Sequence, residues 1–469
     1  MKELIKLIAA TAIMIFSVAA NADNPLQYFH DQAAMAKLHE GEAALAQKDY
    51  PKAASIYGPL ADSKYSIAEY QMGYLTLHGF GVEKDDTIAT AFFLKAADQG
   101  LLEAKFALGT MYLQGGSVAQ GMPWMKQAAM AGEPHAMYMF GVMYQNGINV
   151  PVSLDIAASF YDKASQQGIN QAMYNMGLMY YKGEGVAKDT AKALNYFSNA
   201  AAAGSAKAQD VMGVFTNNGM NGVAVNQSQA FSYFTESANQ GLIEGQYNLG
   251  VMYYNGWGTA ADEKNALTWI TKAADQGLPR AIYLEGYLAY NGIGETKNLS
   301  QALELYEKAA DLGLTDAQVA TAMLYHNGEG TTKDDIKAFA MFQAAAKQGN
   351  AMAEYMTGLF YQQGLGIIPD KAAAVTWFEK AAEQGIDKAQ IAVAAMYANG
   401  DGVAQSDKMA YVWLSLAVTS SDTAIHTTAQ SSLDALSKLM KPEDVDAAKQ
   451  LAAAYYNKIA ANQMAQKPQ

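Results

Sequence analysis

Residues 172–203 read AMYNMGLMYYKGEGVAKDTAKALNYFSNAAAA, and this stretch decides the fold. Ala172, Met176, Gly177 and Tyr180 fall at i, i+4, i+5 and i+8, one face of a helix. Lys182-Gly183-Glu184-Gly185 then stops that helix, because glycine readily takes the left-handed conformation that ends one. Asp189 is placed to cap or lead a second helix with a favourable negative charge. That helix carries Ala193, Leu194, Tyr196, Phe197, Ala200 and Ala201: small residues for close approach, aromatics to fill the remaining space. The unit is an antiparallel helix pair with a short loop at each end.

The same pattern runs outward in both directions. A glycine closing an Ala-rich second helix recurs at Gly100, Gly132, Gly168, Gly204, Gly241, Gly277, Gly313, Gly349 and Gly385. The successive differences are 32, 36, 36, 37, 36, 36, 36 and 36, the signature of a solenoid of repeated helix pairs. A second glycine sits inside the first helix at Gly73, Gly109, Gly141, Gly177, Gly213, Gly250, Gly286 and Gly358, with Ala322 and Ala394 in the two other copies. A mid-helix glycine costs ~1 kcal/mol relative to alanine. Its repetition predicts a helix crossing too close to admit a side chain.

These residues give the chain a resemblance to the Sel1-like repeat proteins, relatives of the tetratricopeptide repeats. The loops Gly81-Val82, Gly185-Val186 and Gly402-Val403 match that family, as do the endings Phe93-Leu94-Lys95-Ala96-Ala97 and Trp377-Phe378-Glu379-Lys380-Ala381-Ala382. The resemblance covers about residues 65–420 in roughly ten copies. It implies an all-α, right-handed superhelical solenoid of antiparallel helix pairs, usually working as an adaptor or assembly scaffold. Bacterial members of the family are often exported and take part in envelope or host-interaction tasks.

Two copies depart from the frame. The one at 101–132 is four residues short, so its second helix is expected to start late, and the one at 205–241 has an extra loop residue. Asn149 replaces the second loop glycine of another copy and tolerates the left-handed region. Five segments are expected: a signal peptide at 1–22, an N-terminal tetratricopeptide-like cap at 23–63, the repeats at 64–420, C-terminal capping helices at 421–460, and a disordered tail at 461–469. The signal rests on Lys2 and Lys6, the apolar run Leu7–Val18 and a small-x-small cleavage site ending at Ala22.

Removal of 1–22 leaves 30 basic and 44 acidic residues, a net charge of −14, which argues against nucleic-acid binding. The absence of cysteine excludes disulfides, a thiol nucleophile and a thiolate metal site. No later segment is apolar enough to span a bilayer. The six histidines show no metal-ligand spacing, and no serine is followed three residues later by lysine. No catalytic, cofactor or metal residues are assigned, and no cofactor is expected.

The expected location is the periplasm, or release beyond it, and the expected partner is a protein or peptide of the cell envelope held in the superhelical groove. A peptidoglycan-directed enzyme or glycan-binding protein and a secreted host-interaction factor stand as the alternatives. Partner-binding candidates come from three places. Met179 and Met252 belong to a methionine-rich column two residues beyond the helix glycine, which reads either as core between repeats or as an adaptable groove. Gln71, Asn175 and Asn248 lie two residues before that glycine, where residue type varies from copy to copy. Trp257 stands between Gly256 and Gly258, as an exposed anchor or folded back on its helix pair.

Overall fold

The computed structural model describes residues 25–465, so the expected signal segment 1–22, its cleavage site Ala22 and residues 466–469 lie outside the described residues. The chain divides into two compact units, one ending at Val225 and one beginning at Asn226. Among the described residues there are 24 helices and no strands.

The first unit opens with the hairpin α1 (Pro25–Ala46) and α2 (Tyr50–Asp62). The pairs α3 (Ser66–His78) and α4 (Asp86–Asp98), α5 (Leu102–Gln114) and α6 (Val118–Met130), α7 (Pro134–Asn146) and α8 (Leu154–Gln166), and α9 (Asn170–Lys182) and α10 (Thr190–Ala202) follow. It ends with α11 (Ala206–Asn218). The second unit starts with α12 (Gln227–Asn239) and continues through α13 (Ile243–Asn255) and α14 (Glu263–Asp275), α15 (Pro279–Asn291) and α16 (Leu299–Asp311), and α17 (Thr315–Asn327) and α18 (Asp335–Lys347). Its remaining pairs are α19 (Ala351–Gln363) with α20 (Lys371–Glu383) and α21 (Asp387–Asn399) with α22 (Asp407–Ala417), before α23 (Thr423–Ser437) and α24 (Pro442–Ala465). The last helix thus reaches into the segment expected to be irregular.

In most pairs an aromatic ring is seated on the helix glycine, and Ile270 takes the ring's place against Gly250. A Cβ on Gly177 would lie 2.6 Å from the Phe197 ring, one on Gly358 2.6 Å from Phe378, and one on Gly73 2.8 Å from Phe93. These rings are at most 1% exposed. Twenty residues separate glycine and ring each time, so the crossing is set by sequence spacing. Ala322 takes the glycine position opposite Phe342, and both are fully buried, so that copy admits one methyl group. The copy at 101–132 works differently. Its second helix, α6, keeps the 13 residues of its neighbours, and the expected late start is not found. The loop absorbs the deletion: Gly115–Ser117 is three residues where Gly79–Asp85 is seven. There the backbones themselves meet, with a Cβ on Gly109 only 2.8 Å from the Met125 amide nitrogen.

Between repeats one recurring contact is backbone against glycine. Gly294 has φ +76°, and a Cβ there would sit 2.5 Å from the carbonyl oxygen of Glu263, at the start of the preceding second helix. Gly366 does the same against Asp335 with φ +67°. The second helices are capped as the acidic residues before them suggest: the Asp189 carboxylate accepts from the Lys192 amide at 3.0 Å and Asp370 from Ala373 at 2.9 Å. Asn149 takes φ +59°, the left-handed region expected for it.

Gly358→Leu is expected to cost about 3 kcal/mol by overpacking the ring, whereas Ala322→Gly is expected to cost about 1 kcal/mol. For Gly358→Leu, hydrogen exchange should show the loss concentrated in α19 and α20, because repeats contact only their neighbours. Uniform loss of protection throughout the second unit would contradict this.

Candidate functional site

The second unit presents one continuous surface on its first helices. Relative to the helix glycine or alanine, the positions two before, one after and five after are spaced i, i+3 and i+7, a single helical face. One residue after, the row reads Val251, Tyr287, Met323, Leu359 and Ala395. Five residues after, it reads Asn255, Asn291, Asn327, Gln363 and Asn399. Two before, it reads Asn248, Leu284, Ala320, Met356 and Ala392. All fifteen residues are half-buried or exposed, and none is charged. Tyr287 is 37% and Met323 39% exposed, too much for core packing residues.

Side chains tie the rows together across repeats. The Tyr254 and Tyr287 rings lie 6.5 Å apart edge to face, the Arg280 guanidinium stacks 4.6 Å over Tyr247, and the His326 ring lies 5.2 Å from Phe360. Charge appears only at the far end of the face, where Glu244, Arg280, Asp316 and Lys388 balance to zero in a chain of net charge −13. Beyond Ala392 the surface enters a cleft of about 370 Å³ between α19, α21 and α23, lined by Tyr355, Ile391, Ile425 and Thr428 with Lys388 as its charged group. An uncharged, apolar and amide-lined face of this kind is suited to contact with polypeptide and offers no nucleophile or acid–base pair.

The individual candidates distribute as follows. Asn248 lies on this face. Met179 and Met252 do not: each is 1% exposed, because the position two beyond the glycine turns into the core. They are not partner-binding residues. Gln71 is also buried, at 7% exposure, so its candidacy is withdrawn. Asn175 is engaged by the Tyr138 and Tyr161 hydroxyls, an internal role. Trp257 is 37% exposed on its loop, two residues beyond Asn255 of the amide row. The row beginning at Val251 was missed because its signal is collective: no single member stands out, and only alignment of the copies reveals five apolar residues in register.

A second row, also missed, is internal. Gln276 donates to Gln246 at 2.7 Å, Gln348 to Gln318 at 2.9 Å, Gln384 to Glu354 at 2.8 Å and Gln99 to Glu69 at 2.6 Å. Each bond joins the start of a first helix to the end of the second helix of the same repeat, thirty residues on. Burial pushes the Glu69 and Glu354 carboxyls above the usual carboxylate range, opposed in part by these amide donors and by Lys95 and Lys380. Among the described residues no group of three or more His, Cys, Asp or Glu side chains converges as a metal site. His326 instead pairs with Asp335 at 2.7 Å and His135 with Glu133 at 3.2 Å. No helix there is long and apolar enough to cross a membrane.

The stacked helix pairs and their exposed first-helix face define an α-solenoid repeat scaffold. The Sel1 repeat model matches ten times, from 66–101 to 387–422, so the chain belongs to the Sel1 repeat family. It is similar to c5321 of Escherichia coli, described as a protective antigen present in uropathogenic strains and displaying an SLR fold, with 29% identity and a TM-score of 0.58 over 88% of this chain and 97% of that one. It is similar to the chitin synthase regulator SKT5 of Malassezia restricta, at 29% identity over 32% of this chain and 11% of that protein. It is also similar to HRD3 of Candida glabrata, an ERAD-associated E3 ubiquitin-protein ligase component, at 26% identity over 23% of this chain and 14% of that one. The chain thus matches only a small part of the length of these curated relatives. Sel1 repeats mediate protein–protein interaction, and the chain is a scaffold of that class, which is generally non-catalytic.

A carboxyl whose pKa is raised on folding contributes most when protonated, below its ordinary value, and its contribution falls as pH rises through that value toward the folded one. Glu354→Gln, which reproduces the Gln318 and Gln246 arrangement, is therefore expected to raise the melting temperature at pH 7 and to leave it unchanged near pH 4. Equal shifts at both pH values would show that ionisation of Glu354 is not what limits stability.

Proposed function

We propose that the chain is an exported interaction scaffold of the cell envelope that seats a protein or peptide partner on the first-helix face of residues 243–399. The observation carrying this reading is the set of fifteen uncharged positions in register over five repeats, exposed in the amide row and at Tyr287, Met323 and Ala395 and half-buried elsewhere, on a molecule that is otherwise strongly acidic. Exposed apolar rows rimmed by polar groups mark interaction surfaces. The charged start, apolar run and cleavage pattern of residues 1–22 support export, and with it a periplasmic partner. The likeness to c5321, described as a protective antigen, supports a second placement in which the partner belongs to a host.

Purified chain lacking residues 1–22 is the bait for affinity capture from a mildly crosslinked envelope extract, beside a Tyr287→Glu/Met323→Glu variant at the two exposed large apolar positions of the face. One dominant protein should be retained by the parent and reduced at least tenfold with the variant, whose melting temperature should match the parent's within a few degrees. Equal retention by both would overturn the assignment of this face. Retention of no protein would move the partner outside the cell, and retention of glycan alone would replace the scaffold reading.

A further inference from the structure

An asparagine followed by glycine is where a main chain can attack its own side chain, because glycine has no Cβ to crowd the attacking nitrogen. The sequence holds seven such steps. The fold closes six of them and leaves open the one at Asn221-Gly222, in the loop between α11 and α12. We propose that Asn221 is a site of spontaneous deamidation, converting through a succinimide to isoaspartate and aspartate.

Water and hydroxide are the only co-reactants. The Gly222 main-chain nitrogen gives its proton to hydroxide and attacks Asn221 Cγ. A new N–Cγ bond closes the succinimide ring, and the Cγ–Nδ2 bond breaks, its nitrogen leaving as ammonia with a proton from water. A second water then opens the ring at either carbonyl. Cleavage at Cγ gives aspartate, and cleavage at the main-chain carbonyl gives isoaspartate, with the chain rerouted through the side chain. One neutral amide becomes one carboxylate, a change of charge in the loop.

The attacking nitrogen distinguishes the seven steps. Asn146, Asn218, Asn255, Asn291, Asn327 and Asn399 each end a first helix, and the glycine that follows caps it. All six cap amides donate to the carbonyl four residues back, as Gly292 does to Leu288 at 2.8 Å. Attack there requires that bond to break and the last helical turn to unwind. Among the described residues the Gly222 N–H has no acceptor.

The side chain differs in the same sense. Asn146, Asn255 and Asn291 tie their Nδ2 back to the carbonyl four residues earlier at 2.8, 2.9 and 2.8 Å. The Asn221 Nδ2 is buried with no acceptor, a standing cost that departure of ammonia removes.

The loop itself is lightly held. Met220–Val223 form a tight turn with φ +56° at Asn221 and +83° at Gly222, closed by the Val223 N–H donating to the Met220 carbonyl at 3.0 Å. Breaking that single bond frees the turn for ring closure. The second loop glycine of other repeats is pressed onto the preceding helix, as Gly294 is onto Glu263, whereas a Cβ on Gly222 would meet nothing within 4 Å. The extra residue of this repeat lifts Gly222 off that seat. Four of the capped asparagines, Asn255, Asn291, Asn327 and Asn399, belong to the amide row of the first-helix face, which therefore keeps its neutral amides while Asn221 is converted.

The test incubates the purified chain at mildly alkaline pH, folded and in urea, and follows every Asn-Gly step by peptide mass spectrometry, with fragmentation that tells isoaspartate from aspartate. In the folded chain Asn221 should convert at least tenfold faster than any of the other six, with isoaspartate in excess. In urea the six should accelerate at least tenfold towards the rate of Asn221. Conversion of Asn221 no faster than the rest in the folded chain would overturn the proposal. Aspartate as the sole product would show direct hydrolysis without attack by Gly222, and would overturn the succinimide step. If the six stayed slow in urea, local sequence rather than the helix caps would set the difference, and the structural basis would fall.

Discussion

The structure depends on one close crossing: a large side chain of the second helix, most often an aromatic ring, laid against a glycine or alanine of the first. Where Phe197 meets Gly177 or Phe378 meets Gly358, a single methyl group would reach into the ring. The cost of a helix-interior glycine, ~1 kcal/mol each, is offset by burying a large side chain at the crossing, a ring in most pairs and Ile270 against Gly250. Because glycine and ring are twenty residues apart, the contact also fixes where along each helix the crossing falls, and with it which residues face outward.

The proposed interaction surface is a consequence of that geometry. With one side of the first helix committed to the ring, and the residue two beyond the glycine turned into the core, the residues one and five beyond are left at the surface. The loop glycines stack repeat on repeat by backbone contact, as Gly366 does on Asp335. Identical positions therefore line up as rows, so a weak preference at one position becomes a strong one along five copies. Val251, Tyr287, Met323, Leu359 and Ala395 form such a row.

Much of this was legible in the sequence. The period, the helix pairs, the left-handed loop ends, the caps and the close crossing at the helix glycine all follow from residue type and spacing. The short copy at 101–132 was read differently, because a deletion in sequence does not say whether loop or helix yields; the three-residue loop shows that the helix is conserved. The site was less legible. Met179 occupies a helix position whose orientation depends on a crossing angle, and a change of one position around the helix, about 100°, moves a side chain from surface to core, whereas Gln71 shares its position with half-buried Asn248 and its burial is local to its own repeat. The Gln246–Gln276 type of bond was hidden because its partners lie thirty residues apart.

The most direct test of the account is a photo-crosslinking amino acid placed at position 323, on the first-helix face, or at exposed Thr376 on a second helix, in the full chain within living source cells. Irradiation should give a discrete crosslinked band from position 323 and none from position 376. Equal crosslinking from both positions, or crosslinking from 376 alone, would contradict the assignment of the first-helix face as the surface through which this protein acts.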